Sequence, residues 1–129
     1  MDKLAYVMSP YTHKCPALMA TRAAEAAYFL SHLVTCSKYQ DYILYSPIVH
    51  WHYVAVHNDR LPRDADFWWR LNKPYLDQAS LGIVLQISGW NRSSGIAQET
   101  HYLVDRKVKI LHEEIDGWIK KSFTYTPPK

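Results

Sequence analysis

Apolar residues run without interruption from Leu4 to Met8 and are stopped by Ser9 and Pro10, the pattern of a short buried strand meeting a loop. From Pro16, a residue suited to a helix's first turn, Ala20, Ala23, Ala24, Ala27, Leu30 and Val34 recur at helical spacing. They predict a helix to about Cys36 with one apolar face. Tyr42 to Tyr45 reads as a second strand ended by Ser46 and Pro47, and Asp64 or Asp66 starts a second helix reaching about Ala79. Leu81 to Ile87 is a continuous apolar run, as expected of a strand covered on both faces. Ser88 to Arg92 then forms a loop, Ser93 or Ser94 caps a helix to about Lys107, Val108 to Leu111 gives a short strand, and a last helix follows from about Glu113.

Strand and helix alternate throughout. That order predicts an α/β fold: a single-domain, flavodoxin- or Rossmann-like three-layer sandwich around a mostly parallel sheet of four to five strands. The domain is expected over residues 1–123, with residues 124–129, which include Pro127 and Pro128, as a loose tail. Ligands of such sheets bind outside the carboxyl ends of the strands. The rule selects Ser9 to His13, Ser46 to His52 and Gly89 to Glu99, where polar and aromatic side chains collect.

Composition narrows the classes further. At 48% hydrophobic and 21% charged residues, the chain is far from the balance that keeps a polypeptide disordered. Its net charge of +3 is spread along the sequence, so no basic stripe argues for duplex nucleic acid. No apolar run approaches the roughly 20 residues of a membrane helix, and MDKLAYVMSP turns polar too soon for a signal peptide, which makes the cytosol the expected compartment. Cys15 and Cys36 have no metal or redox spacing and read as buried free thiols. Five Trp, ten Tyr and seven His suit either an aromatic core or a pocket for a flat ligand.

Within the third loop, the N–H groups and hydroxyls of Ser93 and Ser94 make either an ordinary helix cap or an anion site. Gly95 and Glu99 are four apart, so they share a helix face, the bare glycine leaving room beside the carboxylate. Ile96, Thr100, Leu103 and Val104 face the core in that register, and Glu99 stays ionised at the crevice edge. In an extended segment His50 and His52 would point the same way. Three readings are open for them: a shared metal, walls of a ligand pocket, or packing. No third ligand stands at a convincing spacing, so no metal is assigned. Trp90, just before the helix, is the leading stacking candidate.

Together, Tyr6-Val7-Met8-Ser9-Pro10-Tyr11, Ser46-Pro47-Ile48-Val49-His50-Trp51-His52, Asp66-Phe67-Trp68 and Gly89-Trp90-x-x-Ser93-x-Gly95-x-x-x-Glu99 resemble the nucleoside 2-deoxyribosyltransferase superfamily. The likeness spans about Leu4 to Leu111. It is strongest to a branch of small phage and bacterial proteins with SPY, SPIxHxH and GWxxSxGxxxE motifs, similar to 2′-deoxynucleoside 5′-phosphate N-hydrolases.

The resemblance implies cleavage of an N-glycosidic bond without metal or other cofactor, through a covalent glycosyl-glutamate. Glu99 matches the nucleophile, Tyr6 the tyrosine that contacts it, and Ser93 the serine that holds a 5′-phosphate. Ser9, Ser94, Gly95, His50, His52 and Trp90 fall where the substrate binds. Asn72 stands where the family has an aspartate that assists protonation of the leaving base, and asparagine cannot donate or accept a proton as a general acid or base. Asp66 and Asp77 are the acidic neighbours. The implied partners are a nucleotide or nucleoside and further copies of the chain, in a bacterial or phage-infected cytosol. A catalytically weak nucleotide-binding or regulatory protein of the same fold is the alternative.

Overall fold

The structure, a computed structural model, describes residues 3–114. Its strands are β1 (Lys3–Met8), β2 (Tyr42–Tyr45), β3 (Ala79–Leu85) and β4 (Lys109–Glu113), all parallel and ordered β2-β1-β3-β4. The helices are α1 (Pro16–Leu33), α2 (Pro47–His57), α3 (Ala65–Gln78) and α4 (Ser94–Asp105). The period-two geometry of a strand turns Ala5 and Val7 to one face of the sheet and Tyr6 and Met8 to the other. Ala5 and Val7 pack with Ala26, Phe29 and Leu33 of α1, and Val49 of α2 joins them. Tyr6 and Met8 pack with Leu76 of α3 and Ile96 and Leu103 of α4. Three layers result, in a Rossmann- or flavodoxin-like α/β sandwich. No described helix is long and apolar enough to cross a membrane.

Several expectations shift. The buried stripe of α1 is Ala23, Ala26, Phe29 and Leu33, whereas Ala20, Ala24, Ala27 and Val34 are exposed. Alanine on both sides of the helix made two stripes look alike, and the bulk of Phe29 and Leu33 decides between them. Ser46 to His52 is not extended. Pro47 occupies the first turn of α2 and the Ser46 hydroxyl accepts from Val49 N at 3.2 Å, which caps a helix there. Asp64 caps α3 by accepting from Phe67 N at 3.3 Å. Helix α3 passes into β3 at Ala79 without a loop, and Glu113 closes β4 instead of starting a helix. The helix expected beyond it and the expected tail lie outside the described residues. Cys15 is exposed and Cys36 partly buried, both unpaired.

Gly82 sits opposite Tyr6 in the β1–β3 register. A Cβ there would lie 2.6 Å from Ile110 Cδ1 and 2.9 Å from Leu103 Cδ1. The bare backbone therefore lets α4 come down onto the sheet, and Leu103 lies one helical turn beyond Glu99. Gly82→Val should overpack this contact and cost about 1–3 kcal/mol, measurable as a lower urea midpoint with an unchanged m-value. A variant as stable as the parent would show that α4 does not depend on this close approach.

Candidate active site

Strands β1 and β3 are neighbours, yet the chain leaves β1 for α1 on one face and β3 for α4 on the other. The two connections diverge at the carboxyl ends and open a crevice between them. The resulting cleft, about 850 Å³, is lined by the loop after β1, by α2 and α3, and by the start of α4. Ser9, His52, Asn72, Ser93, Ser94, Gly95 and Glu99 all face it.

Glu99 is half-buried, and its Oε2 accepts a short hydrogen bond from the hydroxyl of fully buried Tyr6. Loss of solvent pushes the Glu99 carboxyl up to about 7, although the Tyr6 bond opposes the shift. Near neutral pH Glu99 is thus divided between acid and carboxylate, not simply ionised. Burial, reinforced by the Glu99 charge, raises the Tyr6 phenol far above its usual range, so Tyr6 remains a donor. The Tyr6 ring lies 5.9 Å from that of Tyr45, which stacks on Tyr75 at 4.0 Å. Trp51 Nε1 donates to Tyr45 Oη at 3.1 Å and to Asn72 Oδ1 at 3.2 Å, and the Tyr45 hydroxyl donates to Asn72 Oδ1 at 3.4 Å. Asn72 is thereby fixed in the wall. Asp77 is occupied elsewhere, bound to Lys73 at 2.9 Å and to Tyr102, and Asp66 is exposed, so neither stands in for the missing acid.

At the other end Ser93 is the cap of α4, its Oγ accepting from Ile96 N at 3.2 Å. The N–H groups of Ser94 and Gly95 make no hydrogen bond among the described residues, and both residues line the cleft. A Cβ at Gly95 would meet only Ser93 Oγ, at 3.8 Å. That glycine keeps the helix end uncovered; it does not make room for Glu99. Val104, expected in the core, is 55% exposed.

Sequence reasoning missed Arg22 and Arg63. Arg22 donates to Thr12 O at 3.2 Å and Tyr11 O at 3.4 Å, while its Nε is buried without a partner. Ser9 Oγ is likewise buried and unpartnered. Both residues line the cleft, as do Arg63 and Arg92. Arg22 is in step with the true buried stripe of α1, and a cation among Ala26, Phe29 and Leu33 is a signal that the wrong choice of stripe concealed.

His50 and Trp90 do not line the cleft. Helix α2 turns successive side chains by about 100°, so His50 is exposed while His52 is buried beside Tyr11. Those two histidines therefore do not converge on a metal, and no cluster of three or more ligating side chains occurs among the described residues. Trp90 packs beside the sheet, 5.4 Å from His112. The aromatic lining is instead Tyr11, Trp51, Trp68 and Trp69, with Tyr11 Oη 2.8 Å from His52 Nδ1. Burial lowers the His52 pKa, which favours the neutral imidazole.

A family model described as a domain of unknown function, DUF1937, matches residues 3–118. The chain belongs to that family. No curated protein matches the sequence.

The Glu99 shift has a stability consequence. A carboxyl raised in the fold from 4.5 to about 7 favours folding in its protonated form, and that contribution is lost as pH rises through about 7. Glu99→Gln imitates the protonated form. Its melting temperature relative to the parent should therefore climb between pH 5 and pH 8, and a difference independent of pH would contradict the burial described.

Proposed function

We propose that the protein is an N-glycosidase acting on a nucleoside or, preferentially, its 5′-monophosphate, with Glu99 as nucleophile. The observation that carries this reading is a carboxylate at the crevice, held from beneath by a buried phenol, in a cleft whose other fully charged lining side chains are arginines. Tyr6 occupies Oε2 and leaves Oε1 without a partner among the described residues. Oε1 forms an ester with C1′ as the C1′–N bond breaks, and the bonding pair leaves with the base. Water, or a second base, then attacks C1′ and returns the carboxylate, and the proton the attacker loses balances the one taken up by the departed base. The Tyr6 hydrogen bond orients the nucleophile and tempers its charge in both states.

The phosphate is assigned to Arg22, Arg92, Ser9 and the open N–H groups at the start of α4. Two unsatisfied buried donors and a positive helix end all favour an anion there. Ser93 can donate its hydroxyl proton while its oxygen caps the helix. Association of the chain with itself belongs to the same reading, supported by the exposed apolar residues Tyr53, Val54 and Val56 of α2 and Ile43 of β2.

Deoxynucleosides and their 5′-monophosphates, assayed for free base, supply the test. Release should fall by orders of magnitude in Glu99→Gln, and kcat/KM of the parent should rise with pH through a midpoint near 7, as Glu99 must lose its proton to attack. Near-normal release by Glu99→Gln would overturn the mechanism. Arg22→Ala should weaken monophosphate binding while sparing the nucleoside; equal losses for both would remove the phosphate from this end of the cleft.

A further inference from the structure

Resting on the N-glycosidase reading, we propose that the aromatic end of the cleft selects bases bearing a carbonyl, rather than an amine, at purine C6 or pyrimidine C4. The selection comes from a wall that holds fixed hydrogen-bond donors and, among the described lining residues, no carboxylate acceptor but Glu99.

Asn72 is the first member. An indole N–H can only donate, so the atom facing Trp51 Nε1 at 3.2 Å is the amide oxygen, and the Tyr45 hydroxyl donates to the same oxygen. Both acceptor sites of that oxygen are filled by the protein. The amide N–H2, which has no partner among the described residues, remains for the cleft.

Arg63 is the second. Its Nη2 donates to Ala55 O at 2.5 Å and Asn58 O at 3.3 Å, and its Nη1 to Asp59 O at 3.3 Å. Carbonyls at the end of α2 thus clamp the guanidinium at the cleft, and Nε and one Nη1 proton stay uncommitted. Its positive charge also acts on Tyr11. Tyr11 Oη lies 2.8 Å from His52 Nδ1, and which of the two donates depends on the imidazole tautomer, so the donor wall rests on Asn72 and Arg63.

Acceptors are scarce on the same side. Among the described residues lining the cleft, Glu99 is the only carboxylate, and Tyr6 and the sugar claim it. Trp51, Trp68 and Trp69 add ring surfaces, which accept any base equally. A guanine, hypoxanthine, uracil or thymine presents carbonyl oxygens to these donors. Adenine and cytosine present an amine, which leaves donors on both partners unpaired.

The smallest comparisons are 2′-deoxyinosine against 2′-deoxyadenosine 5′-monophosphate, and 2′-deoxyuridine against 2′-deoxycytidine 5′-monophosphate. Calorimetric titration into Glu99→Gln protein reads binding without turnover. Each carbonyl member should bind about 10- to 100-fold tighter than its amine partner. Asn72→Asp keeps the oxygen that Trp51 requires and replaces the donor by an acceptor, so in the Asn72→Asp, Glu99→Gln protein the preference should shrink or reverse. Equal affinities within either pair overturn the inference, as does a preference that Asn72→Asp leaves unchanged; if that variant does not fold, the two pairs alone decide. Base release by the parent without such discrimination sinks this inference and leaves the glycosidase reading standing. Discriminating binding without base release does the reverse, and binding of none of the four overturns both.

Discussion

Where α4 crosses the sheet, the Glu99 carboxyl loses water, and two things offset that loss: the proton it takes up near neutral pH and the hydrogen bond it receives from Tyr6. Both depend on the sheet. Tyr6 can reach Glu99 only because alternation along β1 sends it to the α3–α4 face, and α4 comes close enough only because Gly82 presents no side chain to Leu103. An acid this poorly solvated is expensive to keep charged, which is why it marks a working site more credibly than an ordinary surface glutamate.

Around that carboxyl the cleft divides by the kind of surface it offers, with arginines at both ends. Arg22, Arg92 and the start of α4 make one end cationic and rich in backbone donors, whereas Trp51, Trp68, Trp69 and Tyr11 make the other flat and aromatic. The half-buried carboxylate lines the same cleft. On the function proposed above, the phosphate, the sugar carbon and the base of a nucleoside monophosphate take these three environments in turn. Asn72 is tied to Trp51 and Tyr45 through its amide oxygen, which leaves the amide N–H2 as the group it can offer, whereas an ionised aspartate has only acceptors.

Much of the architecture was legible because β1 and β3 are continuous apolar runs bounded by polar residues, and because Ser46, Asp64 and Ser93 are all residues suited to starting helices. The axis from Tyr6 to Glu99 was legible through motif order, which the geometry brings together in space. Less visible were features set by tertiary packing. The alanines of α1 left two stripes equivalent until Phe29 and Leu33 chose one, and with it the place of Arg22. Pro47 looked like the end of a strand when it is also the first turn of α2, an ambiguity that moved His50 out of the cleft. Trp90 precedes α4 in sequence, but its short turn folds it back toward His112.

Gly89 adopts a left-handed φ of 97°, and a Cβ there would stand 2.6 Å from Arg22 Nη2. The guanidinium lies against bare backbone of the loop after β3 while holding the carbonyls of Tyr11 and Thr12 in the loop after β1. One side chain thus rivets together two loops that the topology sends to opposite faces. At this end the spacing of the two loops matches the reach of an arginine. A change of length in either loop would therefore move the partner that Arg22 meets in the other.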